Sequence, residues 1–205
     1  MQEELNRAQP IIFSRRAVLK TLGAGAGALA VWPYLSDQAA EAFALVQQSK
    51  APPQLKFLTE DQYATLETLT ELIIPADEHS PGAKEARVAD YIDLLLAESG
   101  ADMQKDWTKG LAALDAESSR RFQVPFVHLG TGQAVDLLTE LSRNELAADS
   151  APLLEKFFKD TKDATIRGYY TSEIGIHKEL DYKGNRYLTE FVGCTHPEHG
   201  YDPTR

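Results

Sequence analysis

The sequence predicts an all-α protein, a bundle of about five helices followed by an irregular, aromatic-rich C-terminal segment. Apolar residues recur at helical spacing in five stretches between residues 59 and 170. The connections between these stretches are too short for the crossover strands of a parallel sheet. A chain of 205 residues, 43% hydrophobic and 25% charged, suffices for one globular domain with its own core.

The first predicted helix opens at a capping box. Thr59 and Gln62 have the spacing at which the threonine hydroxyl takes the N3 amide while the glutamine reaches back to the cap. The apolar stripe of this helix is formed by Tyr63, Leu66, Leu69 and Ile73. Pro75 ends the helix, because proline lacks a backbone N–H and its ring clashes with the preceding turn.

A second helix is expected from about Ala83 to Ser99, with Gly100 as a C-terminal cap that favours positive φ. Its buried face is expected to comprise Val88, Ile92, Leu95 and Leu96. The third helix has Asp102 as its expected N-cap, ends before Pro125 and is weakened in its middle by a glycine at position 110. Its apolar residues are Met103, Trp107, Leu111 and Leu114.

The last two helices begin at turn-forming residues. Thr131 opens the fourth helix, and Ser150, Ala151 and Pro152 open the fifth. The expected core positions of the fourth helix are Val135, Leu138 and Leu141. Those of the fifth helix are Leu154, Phe157, Phe158 and Ile166.

The chain loses its helical pattern at about residue 172. Glycines, prolines and aromatic residues predict turns and short extended pieces from there to the C-terminus. A stretch of this length without regular structure usually serves a function or a partner. Its aromatic residues are Tyr182, Tyr187, Phe191 and Tyr201. Because the bundle has no inward use for Tyr182, Tyr187 and Phe191, we expect these three to contact another protein.

The polar loop between the first two helices contains three adjacent titratable residues, Asp77, Glu78 and His79. Neighbouring carboxylates and an imidazole can serve as general acid and base. Adjacent residues of a loop point in different directions, however, and loops beside helices are rich in acids for capping. We therefore expect this loop to be structural and not catalytic.

Cys194, His196 and His199 form a weak candidate for a metal site, because a structural zinc needs a fourth ligand that the segment does not supply. Cys194 is the only cysteine, which excludes an intramolecular disulfide. It also excludes the Cys-x-x-Cys-His motif that attaches a c-type haem. The net charge of −10 disfavours a nucleic-acid-binding protein.

The N-terminal region is typical of a twin-arginine signal. Arg15 and Arg16 precede an apolar, glycine-rich run of about 15 residues, shorter than the roughly 20 that span a bilayer. Ala40-Glu41-Ala42 supplies an A-x-A cleavage site. We therefore predict a signal peptide at 1–42, an extended lead at 43–57 and one helical domain at 58–205. Retention of the signal as a membrane anchor is the alternative.

Three motifs together resemble the gluconate 2-dehydrogenase subunit 3 family. Ile-Pro-Ala-Asp at 74–77 is followed by Pro-Gly-Ala at 81–83 and Val-Ala-Asp-Tyr-Ile-Asp at 88–93. Arg-Gly-Tyr-Tyr-Thr-Ser at 167–172 and Phe-Val-Gly-Cys at 191–194 are similar to the family's C-terminal pattern. The resemblance covers the chain from about Leu58 to Cys194.

The resemblance implies a non-catalytic small (gamma-type) subunit of a periplasmic sugar dehydrogenase complex. Its partner would be a large flavoprotein of the glucose-methanol-choline type, which binds FAD and oxidises a sugar, a sugar acid or a glycoside. Electrons would pass to a c-type cytochrome subunit with its haem or to another acceptor. In this family the small subunit carries the export signal for the catalytic subunit, and this chain is expected to hold no cofactor itself.

The expected interface with that partner lies in two non-helical stretches, the connection from Pro75 to Arg87 and the segment after Thr171. It comprises Asp77, Glu78, Pro81, Gly82, Tyr182, Tyr187 and Phe191. The rival hypothesis is a stand-alone periplasmic enzyme, with or without a metal ion. Such an enzyme would use the Asp77 loop or the cluster of Cys194, His196 and His199.

Overall fold

The computed structural model describes residues 35–49, 51–143 and 152–184, which form helices joined by turns, without a β-strand. The α-helices of this part are α1 (Asp37–Gln48), α2 (Glu60–Ile73), α3 (Val88–Ala97), α4 (Ala101–Phe122), α5 (Thr131–Ser142) and α6 (Leu153–Tyr170). A 3₁₀ turn (Phe126–His128) precedes α5, and a π-helical turn (Gly175–Glu179) follows α6. The all-α class is thereby confirmed for the described residues.

The predicted capping box of α2 is present. The Gln62 N–H donates to Thr59 Oγ1 over 3.3 Å, and the Thr59 N–H donates to Gln62 Oε1 over 3.1 Å. The helix ends at Ile73, just before the proline at position 75. The other residues of the predicted stripe are buried, namely Tyr63, Leu66 and Leu69.

Helix α3 is central to the bundle, where it contacts α1, α2, α4 and α6. Its predicted core positions are buried: Val88, Ile92, Leu95 and Leu96. The helix begins later than Ala83, because residues 84–87 form a turn in which Arg87 is left-handed, with a φ of 58°. Gly100 also differs from its prediction. Its φ of −67° makes it the N-cap of α4, and Asp102 lies in the first turn instead.

One buried aspartate of α3 fixes the entry to α2. Asp93 is 2% exposed and accepts three backbone hydrogen bonds, from Lys56 at 2.6 Å, Phe57 at 3.0 Å and Leu58 at 2.7 Å. An ionised carboxylate that accepts several N–H groups forms stronger bonds than a neutral acceptor. Asp93 therefore ties the chain before α2 to the middle of the bundle.

A second buried aspartate, Asp90, joins three parts of the chain. It accepts two hydrogen bonds from the Arg87 guanidinium, at 2.8 and 3.0 Å, and one from the Tyr63 hydroxyl at 2.8 Å. Arg87 in turn donates to the Ala51 carbonyl at 3.1 Å. Burial, reinforced by the charge of Asp90, raises the pKa of Tyr63 well above its usual range. The phenol therefore remains a hydrogen-bond donor to Asp90 at physiological pH.

The long helices α4 and α6 approach each other closely at Gly110. A Cβ atom added to Gly110 would lie 2.8 Å from Phe157 Cβ and nearer still to the Phe157 ring. The same ring packs edge-on against Trp107, with 5.6 Å between the ring centroids. The glycine that weakens the local helix propensity is thus the position where α6 makes its contact.

Replacing Gly110 with alanine is expected to destabilise the protein by about 2 kcal/mol, because the overpacking of the α4–α6 contact outweighs the gain of roughly 1 kcal/mol in helix propensity. The matched control is Gly132→Ala in α5, where an added Cβ meets nothing within 4 Å. That variant should be neutral or more stable. Denaturant unfolding measures both, and a Gly110→Ala variant as stable as the control would contradict the close approach.

Two of the predicted core positions in α5 and α6 face solvent. Val135 is 46% exposed and Ile166 is 43% exposed. The core of α5 is formed instead by Ala134, Leu137, Leu138 and Leu141. When few apolar residues define a helical stripe, the predicted buried face can be wrong by one residue, because the stripe advances by three or four residues per turn.

Residues 43–48 belong to α1, so the prediction of an extended lead from 43 to 57 was wrong over this stretch. Ala39 and Phe43 are one helical turn apart, and they are 5% and 4% exposed. The Phe43 ring packs edge-on against Tyr91 of α3, with 5.3 Å between the centroids. Burial of this apolar face against α3 stabilises a helix that would be marginal in isolation.

Candidate functional site

The connection between α2 and α3 is held in shape by the carboxylate of Glu71. Its Oε1 accepts from the Ala76 N–H at 3.2 Å, and its Oε2 accepts from the Lys84 N–H at 2.7 Å. Gly82 makes room for this arrangement, because a Cβ there would lie 2.6 Å from the Ala76 nitrogen and clash with the Glu71 carboxylate. Both ends of the loop are thereby tied to the last turn of α2.

Asp77 shapes the tip of this loop. Its Oδ1 accepts from the backbone N–H groups of His79 and Ser80, each at 2.8 Å, and its own N–H donates to the Ser80 carbonyl at 3.0 Å. The hydrogen bond from Ser80, followed by that from His79, lowers the pKa of Asp77 below its usual value. A carboxylate with a lowered pKa is a weak base at neutral pH, so this geometry favours the structural interpretation over the catalytic one.

The loop is attached to the end of α6 through Tyr169. The Tyr169 hydroxyl donates to the Pro81 carbonyl at 2.7 Å and lies 2.7 Å from Ser80 Oγ. Ser80 and Tyr169 are 4% and 1% exposed, so these bonds are shielded from water. Burial raises the pKa of Tyr169, although the hydrogen bond with Ser80 opposes this shift.

The loop also meets the segment that follows α6. His79 Nε2 lies 3.3 Å from the carbonyl oxygen of Glu179, in the π-helical turn. The chain then folds back, because the Tyr182 N–H donates to the Ile176 carbonyl at 3.0 Å. Together with the Tyr169 contacts, this brings the loop that follows α2 and the segment at the end of α6 side by side. Residues 75–82 and 170–184 are called the junction surface below.

The junction surface exposes apolar side chains beside a polar loop. Tyr170 is 39% exposed, Leu180 57% and Tyr182 47%. Asp77, Glu78 and His79 are exposed in the adjacent loop. Protein interfaces combine apolar anchors with a polar rim, so this arrangement suits the binding of another protein.

The predicted interface residues within the described chain differ in exposure. Asp77, Glu78 and Tyr182 are exposed, Pro81 is half-buried and Gly82 is buried. Gly82 therefore acts on this surface through the shape of the loop. The remaining predicted site residues lie outside the described residues: Arg15, Arg16, Tyr187, Phe191, Cys194, His196 and His199.

Within residues 35–49, 51–143 and 152–184, the structure contains no group of three or more His, Cys, Asp or Glu residues that could hold a metal ion. No helix of this same part is long and apolar enough to cross a membrane. The proposed Cys194 metal cluster falls in the undescribed C-terminal residues and stays a prediction.

Sequence reasoning missed Glu71 and the two aspartates of α3 as determinants of this region. A local indication existed for Glu71. An acid in the last turn of a helix is unfavourable to the helix dipole, which indicates that it has another partner. Asp93 depends on donors 35 to 37 positions away in the sequence, and Asp90 joins the nearby Arg87 to the distant Tyr63 hydroxyl. No local pattern identifies these distant donors.

The family model described as gluconate 2-dehydrogenase subunit 3 matches residues 60–187, which is more than half of the chain. The matched range includes α2 to α6 and both parts of the junction surface, whereas α1 precedes it. Comparisons with curated proteins and with solved structures found no match.

Proposed function

We propose, from the premise that the chain belongs to the gluconate 2-dehydrogenase subunit 3 family, that it is the small (gamma-type) subunit of a periplasmic FAD-dependent dehydrogenase. The family is a non-catalytic subunit of a dehydrogenase complex, and membership implies association with a catalytic dehydrogenase subunit. The complex would oxidise a sugar, a sugar acid or a glycoside. The small subunit assists the folding and the export of its partner.

The observation that carries this proposal is the extent of the family match, which includes both stretches of the junction surface. The described loop is fixed from three sides, by Glu71, by the Asp77 turn and by Tyr169. A surface that is already ordered loses little conformational entropy on binding, which favours affinity. The junction surface is therefore the proposed docking site for the catalytic subunit.

The proposed division of chemistry places FAD on the large subunit, a flavoprotein of the glucose-methanol-choline type. Electrons then leave through a c-type cytochrome subunit with its own haem or through another acceptor. This chain contributes neither cofactor. Its sequence has no Cys-x-x-Cys-His motif and no dinucleotide-binding βαβ pattern.

Export of the complex is proposed to depend on the Arg15-Arg16 pair. The twin-arginine route carries folded proteins, so the flavin can be loaded before the complex leaves the cytoplasm. One signal then suffices for both subunits if they associate first. The complex would reside in the periplasm, where its partners can hold it at the inner membrane.

Replacing both Arg15 and Arg16 with lysine is expected to leave this protein and its catalytic partner in the cytoplasm, because one signal serves both. Cell fractionation with immunoblotting of both subunits measures this outcome. The matched control is Arg7→Lys, which lies outside the pair and should leave export unchanged. A catalytic subunit that reaches the periplasm without the arginine pair would disprove the export role.

A further inference from the structure

Helix α1 contains the Ala40-Glu41-Ala42 pattern that predicts a signal-peptidase site. The Ala42–Phe43 bond lies in the middle of Asp37–Gln48. The helix is capped at its start, where Ser36 Oγ accepts from the Ala39 N–H at 3.1 Å. The predicted cleavage site is therefore part of a regular helix and not of an extended segment.

The same helix is tied to the domain at three points. At its start, the Ser36 N–H and hydroxyl donate to the carboxylate of Glu98 at 3.0 and 2.5 Å. At its middle, Phe43 packs against Tyr91. These contacts attach the first half of α1 to α3.

The third attachment is at the end of α1. The Glu173 N–H, just after α6, donates to Gln47 Oε1 at 2.6 Å. The chain beyond α1 is also held, because Arg87 donates to the Ala51 carbonyl at 3.1 Å. Both sides of the Ala42–Phe43 bond are thus anchored to elements that lie far away in sequence.

A peptidase acts on chain that has opened locally, and the cleavage rate then follows the population of the open form. Opening at Ala42–Phe43 requires α1 to unwind and Phe43 to leave its buried site. Phe43, which follows the bond, is only 4% exposed. Cleavage in the folded protein should therefore be much slower than cleavage of the same residues in an unfolded chain.

We propose that α1 shields the Ala42–Phe43 bond from signal peptidase, so that the mature subunit keeps α1 and its N-terminus lies at or before Ser36. This inference rests on the proposed export route, because a twin-arginine substrate is folded before it meets the peptidase. The mature domain then begins with α1, and the signal ends before it.

The direct test is the N-terminal sequence of the small subunit, purified with its complex from the periplasmic and membrane fractions. A start at or before Ser36 supports the proposal. A start at Phe43, or anywhere else after Ser36, overturns it. A protein found only in the cytoplasm contradicts the export proposal, and in that case the shielding is decided by the following assay.

The full-length precursor, purified from cytoplasm as the Arg15→Lys, Arg16→Lys variant, is incubated with detergent-solubilised signal peptidase beside a synthetic peptide of residues 28–50. The peptide should be cut after Ala42 at least about tenfold faster than the folded precursor. Equal rates, or an uncut peptide, would overturn the proposal, since the fold would then not be the cause of protection.

A double variant, Gln47→Ala with Glu98→Ala, releases both ends of α1 without changing the residues around the bond. Its precursor should be cut about fivefold faster than the parent, because each lost attachment raises the open population. The matched control is Gln48→Ala, an exposed α1 residue next to Gln47, which should be cut at the parent rate. A double variant as resistant as this control would count against shielding by the docked helix.

Discussion

Serine at both Leu180 and Tyr182 is expected to abolish co-purification of the catalytic subunit while the helical domain stays folded. These side chains are 57% and 47% exposed on the junction surface, so the fold loses little when they are shortened. Anchor residues of this kind contribute about 2 kcal/mol or more each when an interface buries them. Loss of both corresponds to roughly a thousandfold weaker binding.

The matched control for this variant is serine at Val135 and Leu153, which are 46% and 45% exposed outside the junction surface. Pull-down of the catalytic subunit measures binding, and circular dichroism measures the fold. If the variant with serine at Leu180 and Tyr182 still binds the catalytic subunit while the control variant does not, the partner binds elsewhere.

Removal of residues 181–205 extends the same test to the rest of the C-terminal segment, including Tyr187 and Phe191. The truncated protein is expected to remain helical and to lose its partner. A loss of helical circular dichroism would instead assign the removed aromatic residues to the core of the domain.

Replacing Asp93 with alanine is expected to destabilise the protein by about 3 to 5 kcal/mol, since three backbone N–H groups lose a charged acceptor at a buried site. The donors belong to Lys56, Phe57 and Leu58, and the carboxylate is 2% exposed. The chain before α2 should then detach from α3. Denaturant unfolding gives the free energy, and hydrogen exchange of the three amides reports the detachment.

Two further variants test this role of Asp93, one of the same shape at position 93 and one control at another site. Asp93→Asn keeps the shape and one acceptor oxygen but turns an NH₂ group towards backbone donors, so an intermediate loss is expected. Asp136→Ala removes an exposed carboxylate of α5 and should change the free energy of unfolding by less than about 0.5 kcal/mol. An Asp93→Ala variant as stable as this control would refute the structural role.

The parts of the fold that the sequence predicted correctly depend on local chemistry. Thr59 and Gln62 form their capping box because both partners lie within one turn. Helix α2 stops before Pro75 for a reason contained in the proline ring itself. The predicted core residues of α3 are buried because an apolar face repeats at helical spacing.

The candidate site was predicted in its parts but not in its assembly. The sequence identified the Asp77 loop and the segment after Thr171 as separate surfaces for a partner. The structure places these parts together, through Tyr169 at the loop and through the approach of His79 to the Glu179 carbonyl. Contacts between residues about ninety to a hundred positions apart have no periodic trace in a sequence.

The sequence by itself determined the helical class, the ends of α2 and the family, because caps, breakers, apolar periodicity and motifs are properties of neighbouring residues. The tertiary structure alone decided that α1 is a docked helix, that Asp93 holds the chain before α2 and that Gly110 admits Phe157. Each of these depends on burial against a distant element. Such burial overrides weak local preferences and is fixed only when the whole bundle packs.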